Sequence, residues 1–263
     1  MKYLLLEEVG STNSYAALHA AQLDDMTMIL ANSQSAGRGQ RGNSWESEPG
    51  KNLTFTLIHR PQDFPARRQF LLSEATALAV VDFLRSEGVE AMVKWPNDIY
   101  VDNRKICGIL IEHSLIGARI EHSRLGVGIN INQERFLSDA PNPVSLVQLT
   151  GRPLDLSSAT ARIGNALAVR LAQAAKEIQA EAAESEKAQT ATPDASSHQS
   201  LHEEFLSRLW RHDSLPHPFR IRETGREFQG TIQTVRPDGF IEIQDPASPS
   251  PLSFAFKEVE FLL

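Results

Sequence analysis

Five charged residues in the first 110 positions have the types and spacing for anion chemistry. Arg38 and Arg41 lie in the stretch AGRGQRGNSW (36–45), Lys94 and Asp98 in KWPND, and Lys105 in RKICG. Arginine forks match carboxylate or phosphate oxygens, and glycines let a backbone close around a ligand. The same stretch reads G-x-G-x-x-G, the spacing of a dinucleotide-binding turn. Such a turn needs a helix to open at its third glycine. Here Gly42 is followed by Asn43, Ser44, Trp45 and Pro49-Gly50, then by the strand-like NLTFTLI. A strand-loop-strand is predicted, and the dinucleotide reading falls.

These cations suit the joining of a carboxylate to a nucleotide, which requires two mutually repelling anions to be neutralised and held in attack geometry. Arg38, Arg41, Lys94 and Lys105 can supply the positive charge. Asp98 can hold a Mg²⁺ on phosphates, since that ion takes one or two carboxylates with phosphate and water. Ser11, Thr12 and Gln34 add neutral donors and acceptors for an uncharged polar head group. Each segment also has an ordinary reading: Ser11-Thr12-Asn13 as a helix cap, Pro-Asn-Asp as a turn, Lys105 as a strand-edge lysine.

The elements that must position these residues follow from periodicity. KYLLLEEV reads as a first strand, STNSYAALHAAQL as a helix, and TMILAN as a strand leading into the glycine loop. ARRQFLLSEATALAVVDFLRSEG repeats apolar residues at helical spacing and stops at Gly88, which predicts a long core helix. Residues 91–132 change to short β-rich pieces, predicted as an antiparallel meander. SSATARIGNALAVRLAQAAKEI returns to a helix, and residues 180–200 lose apolar periodicity, predicting a solvated or disordered insertion. SLHEEFLSRLWRH is helical, and several short strands around Pro237-Asp238-Gly239 follow Pro216. The expectation is a larger mixed α/β domain over 1–215 and a small β-rich cap over 216–263.

The 263 residues carry a net charge of -7, which argues against a broad nucleic-acid or anionic-membrane surface. The single Cys107 excludes an internal disulfide framework, and its apolar setting in KICGILIE makes it a small buried filler rather than a nucleophile. No Cys/His ligand spacing suggests structural zinc. MKYLLLEEVG has too short an apolar run for a signal sequence, and no run reaches membrane-spanning length, so a cytoplasmic protein is expected.

The order S-T-N, Q-x-A-G-R-G-x-x-G-x-x-W, K-W-P-N-D, R-K-x-x-G-I-L-x-E and G-x-G-I-N-x-N resembles the biotin protein ligases over residues 9–132. FKEVEF in the tail is similar to that family's C-terminal cap. The resemblance implies an α+β fold: a mixed-sheet biotin/lipoate ligase-like catalytic domain with a small C-terminal SH3-like β-barrel. It implies biotin and ATP as substrates, Mg²⁺, a biotinyl-5′-adenylate intermediate, and transfer to a lysine of a biotin carboxyl carrier protein. Carried over by motif, Ser11, Thr12, Asn13, Gln34, Gly37, Arg38, Gly39, Gln40, Lys105 and Gly108 would surround biotin. Arg41, Lys94, Asn97, Asp98 and Asn130 would face ATP, with Asp98 on the metal. Lys105, Arg38 and Asp98 would be catalytic, and Trp45 would pack the loop's base.

The family's loop commonly carries arginine where this sequence has Gln40 and Asn43, which reduces its phosphate clamp. The motifs begin at residue 11, so no helix-turn-helix is expected ahead of them and no DNA partner; a homodimer is compatible with the resemblance. Two rivals remain at this point: a lipoate or octanoate ligase of the same superfamily, and a non-catalytic biotin or nucleotide sensor.

Overall fold

The computed structural model describes residues 1–137, 142–187 and 200–262, with Arg41 and residues 185–187 described by backbone alone. The larger part contains β1 (Lys2–Val9), α1 (Thr12–His19), β2 (Thr27–Gln34), β3 (Leu53–His59), α2 (Phe70–Ser86), β4 (Met92–Lys94), β5 (Asp98–Val101), β6 (Arg104–Ile116) and β7 (Arg119–Ile129). It continues through α3 (Leu146–Thr150), α4 (Leu156–Lys187) and α5 (Leu201–Ser207). Five short strands follow: β8 (His217–Ile221), β9 (Glu227–Val235), β10 (Ile241–Gln244), β11 (Leu252–Phe254) and β12 (Val259–Phe261).

Strands β1 to β7 form one mixed sheet in the order β1-β2-β3-β7-β6-β5-β4. Only β1 and β2 run parallel, because α1 carries the chain back between them. From β4 to β7 each strand pairs antiparallel with the next, which is the expected meander. Alternation along the strands divides the apolar residues between two faces. Met28, Leu30, Phe55 and Leu57 join the main core with α2 and α4, whereas Ile29 and Ile58 pack with Ala16 of α1. The face opposite α2 is therefore covered by a single short helix, and much of it is left for a cavity.

Helix α2 is apolar nearly all round, as a helix pressed between a sheet and other helices must be. On α4, Ile163, Leu167, Leu171, Ala174 and Ile178 are buried along one stripe. This helix runs on to Lys187, so the first part of the 180–200 segment is helical rather than an unstructured insertion. Ala, Glu and Lys there are strong helix formers, and a helix already nucleated propagates without an apolar face. The rest of that segment, 188–199, lies outside the described residues.

The second sheet is antiparallel, in the order β11-β10-β9-β8-β12, and begins at His217. The Pro237-Asp238-Gly239 turn joins β9 to β10, closed by Arg236 N–H donating to Phe240 O at 2.8 Å. The tail expected as an SH3-like barrel is thus seen as a small five-stranded sheet. No helix among the described residues is long and apolar enough to cross a membrane.

Polar ties fix the helices to one another. Arg170 of α4 bonds Asp82 of α2 at 2.6 Å and both carboxylate oxygens of Glu204 on α5 at 2.6 and 2.7 Å. Nearby, His202 Nδ1 lies 2.6 Å from Glu74 Oε1, and Glu74 is almost wholly buried. The bond to Glu74 raises the pKa of His202, and burial raises that of Glu74. For His202 the upward shift means that the stability it contributes is complete below the ordinary histidine value of about 6.5 and is lost as pH climbs through the raised one. His202→Gln should therefore lower unfolding free energy by about 1–3 kcal/mol near pH 6 and by clearly less near pH 9. Denaturant melts at the two pH values check this; an equal loss at both would mean that charge plays no part in the tie.

Candidate functional site

A cavity of about 820 Å³ opens on the sheet face opposite α2. Its floor exists because two paired strands turn little side chain toward it. On β7 the residues on this face are Arg124, Gly126 and Gly128; opposite them on β6 stand Glu112, Leu110 and Gly108. A Cβ on Gly128 would come within 2.4 Å of the Trp45 ring, and one on Gly126 within 2.2 Å of Asn13 Oδ1. The indole and the amide therefore lie directly on bare backbone.

At one end stands the S-T-N segment. Ser11 occupies the position before α1 with an extended backbone, yet its side chain makes no capping hydrogen bond. True caps occur elsewhere, at Ser145 and Ser200, each completing a capping box. Ser11, Thr12 and Asn13 are buried and line the cavity instead. The Thr12 N–H donates to Gln34 Oε1 at 2.8 Å, and Asn13 Nδ2 donates to Leu110 O at 3.1 Å. Thr56 Oγ1 lies 2.9 Å from Thr12 Oγ1 and also bonds Asn13 Oδ1. The result is a rigid, uncharged polar corner.

The glycine loop arches over the floor between β2 and β3. A tight turn at Gln40–Gly42 forms its tip, and Trp45 N–H donates to Gly37 O at 2.9 Å at its base. Arg38 Nη2 donates to Glu112 Oε1 at 3.1 Å, which ties the loop to the floor. Gly39 and Gln40 line the cavity, while Gly37 lies behind that lining. The side chain of Arg41 lies outside the described residues.

Opposite the polar corner are the lysines. Lys105 Nζ pairs with Asp98 at 2.7 Å and sits 5.8 Å from the Trp45 ring centroid. The two residues meet because β5 and β6 form a hairpin whose pairing sets Asp98 against Gly108. Lys94 lies 5.0 Å from the Tyr100 ring centroid and 5.3 Å from that of Phe261, and burial lowers its pKa. Asn97 is held by its Nδ2 donating to Ile109 O at 2.6 Å. Lys94, Asn97, Asp98 and Gly108 all line the cavity. Asn130 does not: it is buried just past the end of β7, where its Nδ2 donates to Val144 O at 3.0 Å.

The second sheet supplies the remaining wall, with Arg222, Phe256, Lys257, Glu260 and Phe261. It is fastened through Trp95, whose Nε1 donates to Gly239 O at 3.0 Å and whose ring meets Phe256 edge-on. Sequence reasoning assigned no role to this wall or to Glu112. For Glu112 a signal was present, since Gly108, Leu110 and Glu112 alternate on one strand face. Contacts between Trp95 and residues 144 positions later leave no local mark.

Cys107 is fully buried, and burial raises its thiol pKa, which fits the filler reading and not a nucleophile. One histidine pair does stand at H-x-x-x-H spacing, His198 and His202. His202 is engaged by Glu74, and His198 lies outside the described residues. No group of three His, Cys, Asp or Glu placed to hold a metal occurs among the described residues.

The chain matches known proteins over the part that builds this cavity. The profile of the biotin/lipoate A/B protein ligase family covers residues 5–130. The bifunctional ligase/repressor BirA of Bacillus spizizenii is 32% identical over 162 residues, 59% of this chain and 49% of that protein. The biotin–[acetyl-CoA-carboxylase] ligase of Paracoccus denitrificans is 34% identical over 158 residues, 57% of this chain and 65% of that protein. The chain thus spans between about half and two thirds of the length of these curated relatives. The fold is similar to that of the Aquifex aeolicus biotin protein ligase in complex with biotin and ATP, with a TM-score of 0.74, 19% identity, and 98% of this chain and 97% of that one covered.

The floor generates a test. Gly128→Ala fits an extended strand but places a methyl group inside the Trp45 ring, so the loop must lift. Trypsin should then cut after Arg38 and Arg41 several-fold faster, with the thermal midpoint moved by only a few degrees. An unchanged cleavage rate would show that the loop does not rest on this floor.

Proposed function

We propose that the chain, whose residues 5–130 match the profile of the biotin/lipoate A/B protein ligase family, is an ATP-dependent biotin ligase. In this reading biotin and ATP are its substrates, and the acceptor is a lysine of a carboxylase's biotin carboxyl carrier domain. The observation that carries it is the single cavity joining an uncharged polar corner, a bare glycine floor, and the cations Arg38, Lys94 and Lys105. A ureido head is neutral and needs matched donors and acceptors; Ser11, Thr12, Asn13 and Gln34 offer these. An aliphatic tail needs apolar surface, which the Trp45 ring, seated on Gly108 and Gly128, offers together with Leu110 on the cavity wall.

In the first step a biotin carboxylate oxygen attacks the α-phosphorus of ATP. The bond to the bridging oxygen breaks, and diphosphate leaves with its electron pair. Both partners are anions, so Lys105 between them lowers their repulsion and the charge that builds on the α-phosphoryl oxygens. Asp98 at 2.7 Å holds the Lys105 ammonium in place. Lys94, held beside Tyr100 and Phe261, faces the same phosphates. In the second step the acceptor amine attacks the biotinyl carbonyl, AMP leaves with its oxygen, and the amine sheds a proton. Mg²⁺ fits this donor set only as a companion of the nucleotide: Asp98 is one carboxylate beside the lysines, and phosphate and water would complete the shell. Bound there, the ion would neutralise charge on the phosphates.

Biotin should drive exchange of labelled diphosphate into ATP, and lipoate and octanoate should not. Lys105→Ala should slow the exchange by roughly 30- to 1000-fold, the rate equivalent of about 2–4 kcal/mol of lost transition-state stabilisation, in a protein that still folds. Exchange with lipoate or octanoate but not biotin would move the chain to the other branch of the family. No exchange with any of the three would leave a binding protein without the reaction.

A further inference from the structure

The cavity wall formed by the second sheet carries a lysine for which the sequence motifs give no role. Lys257 lies in the turn between β11 and β12 and lines the cavity. Its Nζ stands 3.5 Å from the backbone oxygen of Gln40, at the outer limit of a hydrogen bond and directly against the tip of the glycine loop. Its backbone has φ of 69°, a conformation that glycine adopts without steric cost and lysine does not.

Among the described side chains of the loop face that meets Lys257, Gln40, Asn43 and Ser44 line the cavity and none is charged. Cations deeper in the site are tied to carboxylates, Arg38 to Glu112 and Lys105 to Asp98. Arg222, on the same wall as Lys257, has Glu260 at 3.8 Å. A phosphoryl group beneath the loop would therefore meet Lys105 from one side and, from the other, the uncharged Gln40 and Asn43 side chains with Lys257 behind them.

Resting on the biotin-ligase reading, we propose that Lys257 grips the phosphate of the acyl-adenylate from the C-terminal wall, supplying across the cavity the charge that Gln40 and Asn43 do not. The second sheet then acts as half of the intermediate's binding site. An ammonium on a four-carbon stem can reach past the loop tip, and a charge-assisted contact to phosphate is among the stronger hydrogen bonds available.

The test uses the full chain loaded with synthetic biotinyl-5′-adenylate and chased with unlabelled compound, following the release rate. Lys257→Gly should fold as well as the parent or better, because it relieves the positive φ, and should release the adenylate about tenfold faster. Lys257→Arg should stay close to the parent. Gln40→Arg added to Lys257→Gly should restore slow release by returning a cation to the same place. Biotin alone, which has no phosphate, should bind Lys257→Gly as it binds the parent. Release at the parent's rate from Lys257→Gly, or an equal loss of affinity for biotin itself, overturns the proposal. A parent that holds neither biotin nor its adenylate overturns the ligase reading itself, whereas a parent that holds both while Lys257→Gly behaves identically overturns only the role of Lys257.

Discussion

The site depends on one steric fact: β6 and β7, side by side in the middle of the sheet, present almost no side chain to one face at Gly108, Gly126 and Gly128. Ordinary strands there would fill the space with valine or isoleucine, and the face would become core. Bare backbone instead leaves room for the Trp45 ring and for Asn13. It also puts strand carbonyls within reach, so Asn13 is oriented by Leu110 O and Asn97 by Ile109 O. The opposite face of the same strands carries Cys107, Ile109, Leu125, Val127 and Ile129 into the main core, which keeps the floor rigid. A rigid floor matters because electrostatic stabilisation comes from charges fixed before reaction.

The charges are fixed by pairing. Lys105 with Asp98 is partly buried, so its attraction is less screened than on an open surface, whereas Arg38 reaches Glu112 from an exposed position. Lys94 is different: burial lowers its pKa, with aromatic rings and the neighbouring Asp98 supporting its charge. The second sheet contributes one of those rings, Phe261, and is itself anchored by Trp95 from the same KWPND segment. The packing of that sheet and the electrostatics of the cavity are therefore coupled through two adjacent residues.

Much of this was legible in the sequence where the physics is local. Period-two and period-3.6 patterns marked β1 to β4, β6, β7 and the cores of α2 and α4, and the residues after Gly42 excluded a helix at the glycine loop. Ser11-Thr12-Asn13 was ambiguous because cap and ligand site use the same residue types; only the missing side-chain bond at Ser11 separates them. The extension of α4 to Lys187 was missed because an exposed helix of Ala, Glu and Lys has no apolar stripe to reveal it. Asn130 belongs to a G-I-N motif yet does not line the cavity, since it lies one residue past the end of β7, where its side chain is drawn to Val144 O. FKEVEF marked the C-terminal cap, but its place as a wall of the cavity left no sign because its contacts join residues more than 140 positions apart.

The central claim is that one cavity holds a carboxylate and a nucleotide long enough to join them. Its most direct test is to incubate the protein with biotin and MgATP, remove free ligand, denature it and quantify the released adenylate. The account predicts close to one equivalent of biotinyl-5′-adenylate per chain. Recovery of unreacted biotin and ATP alone, or of an adenylate formed only when lipoate or octanoate replaces biotin, would contradict it.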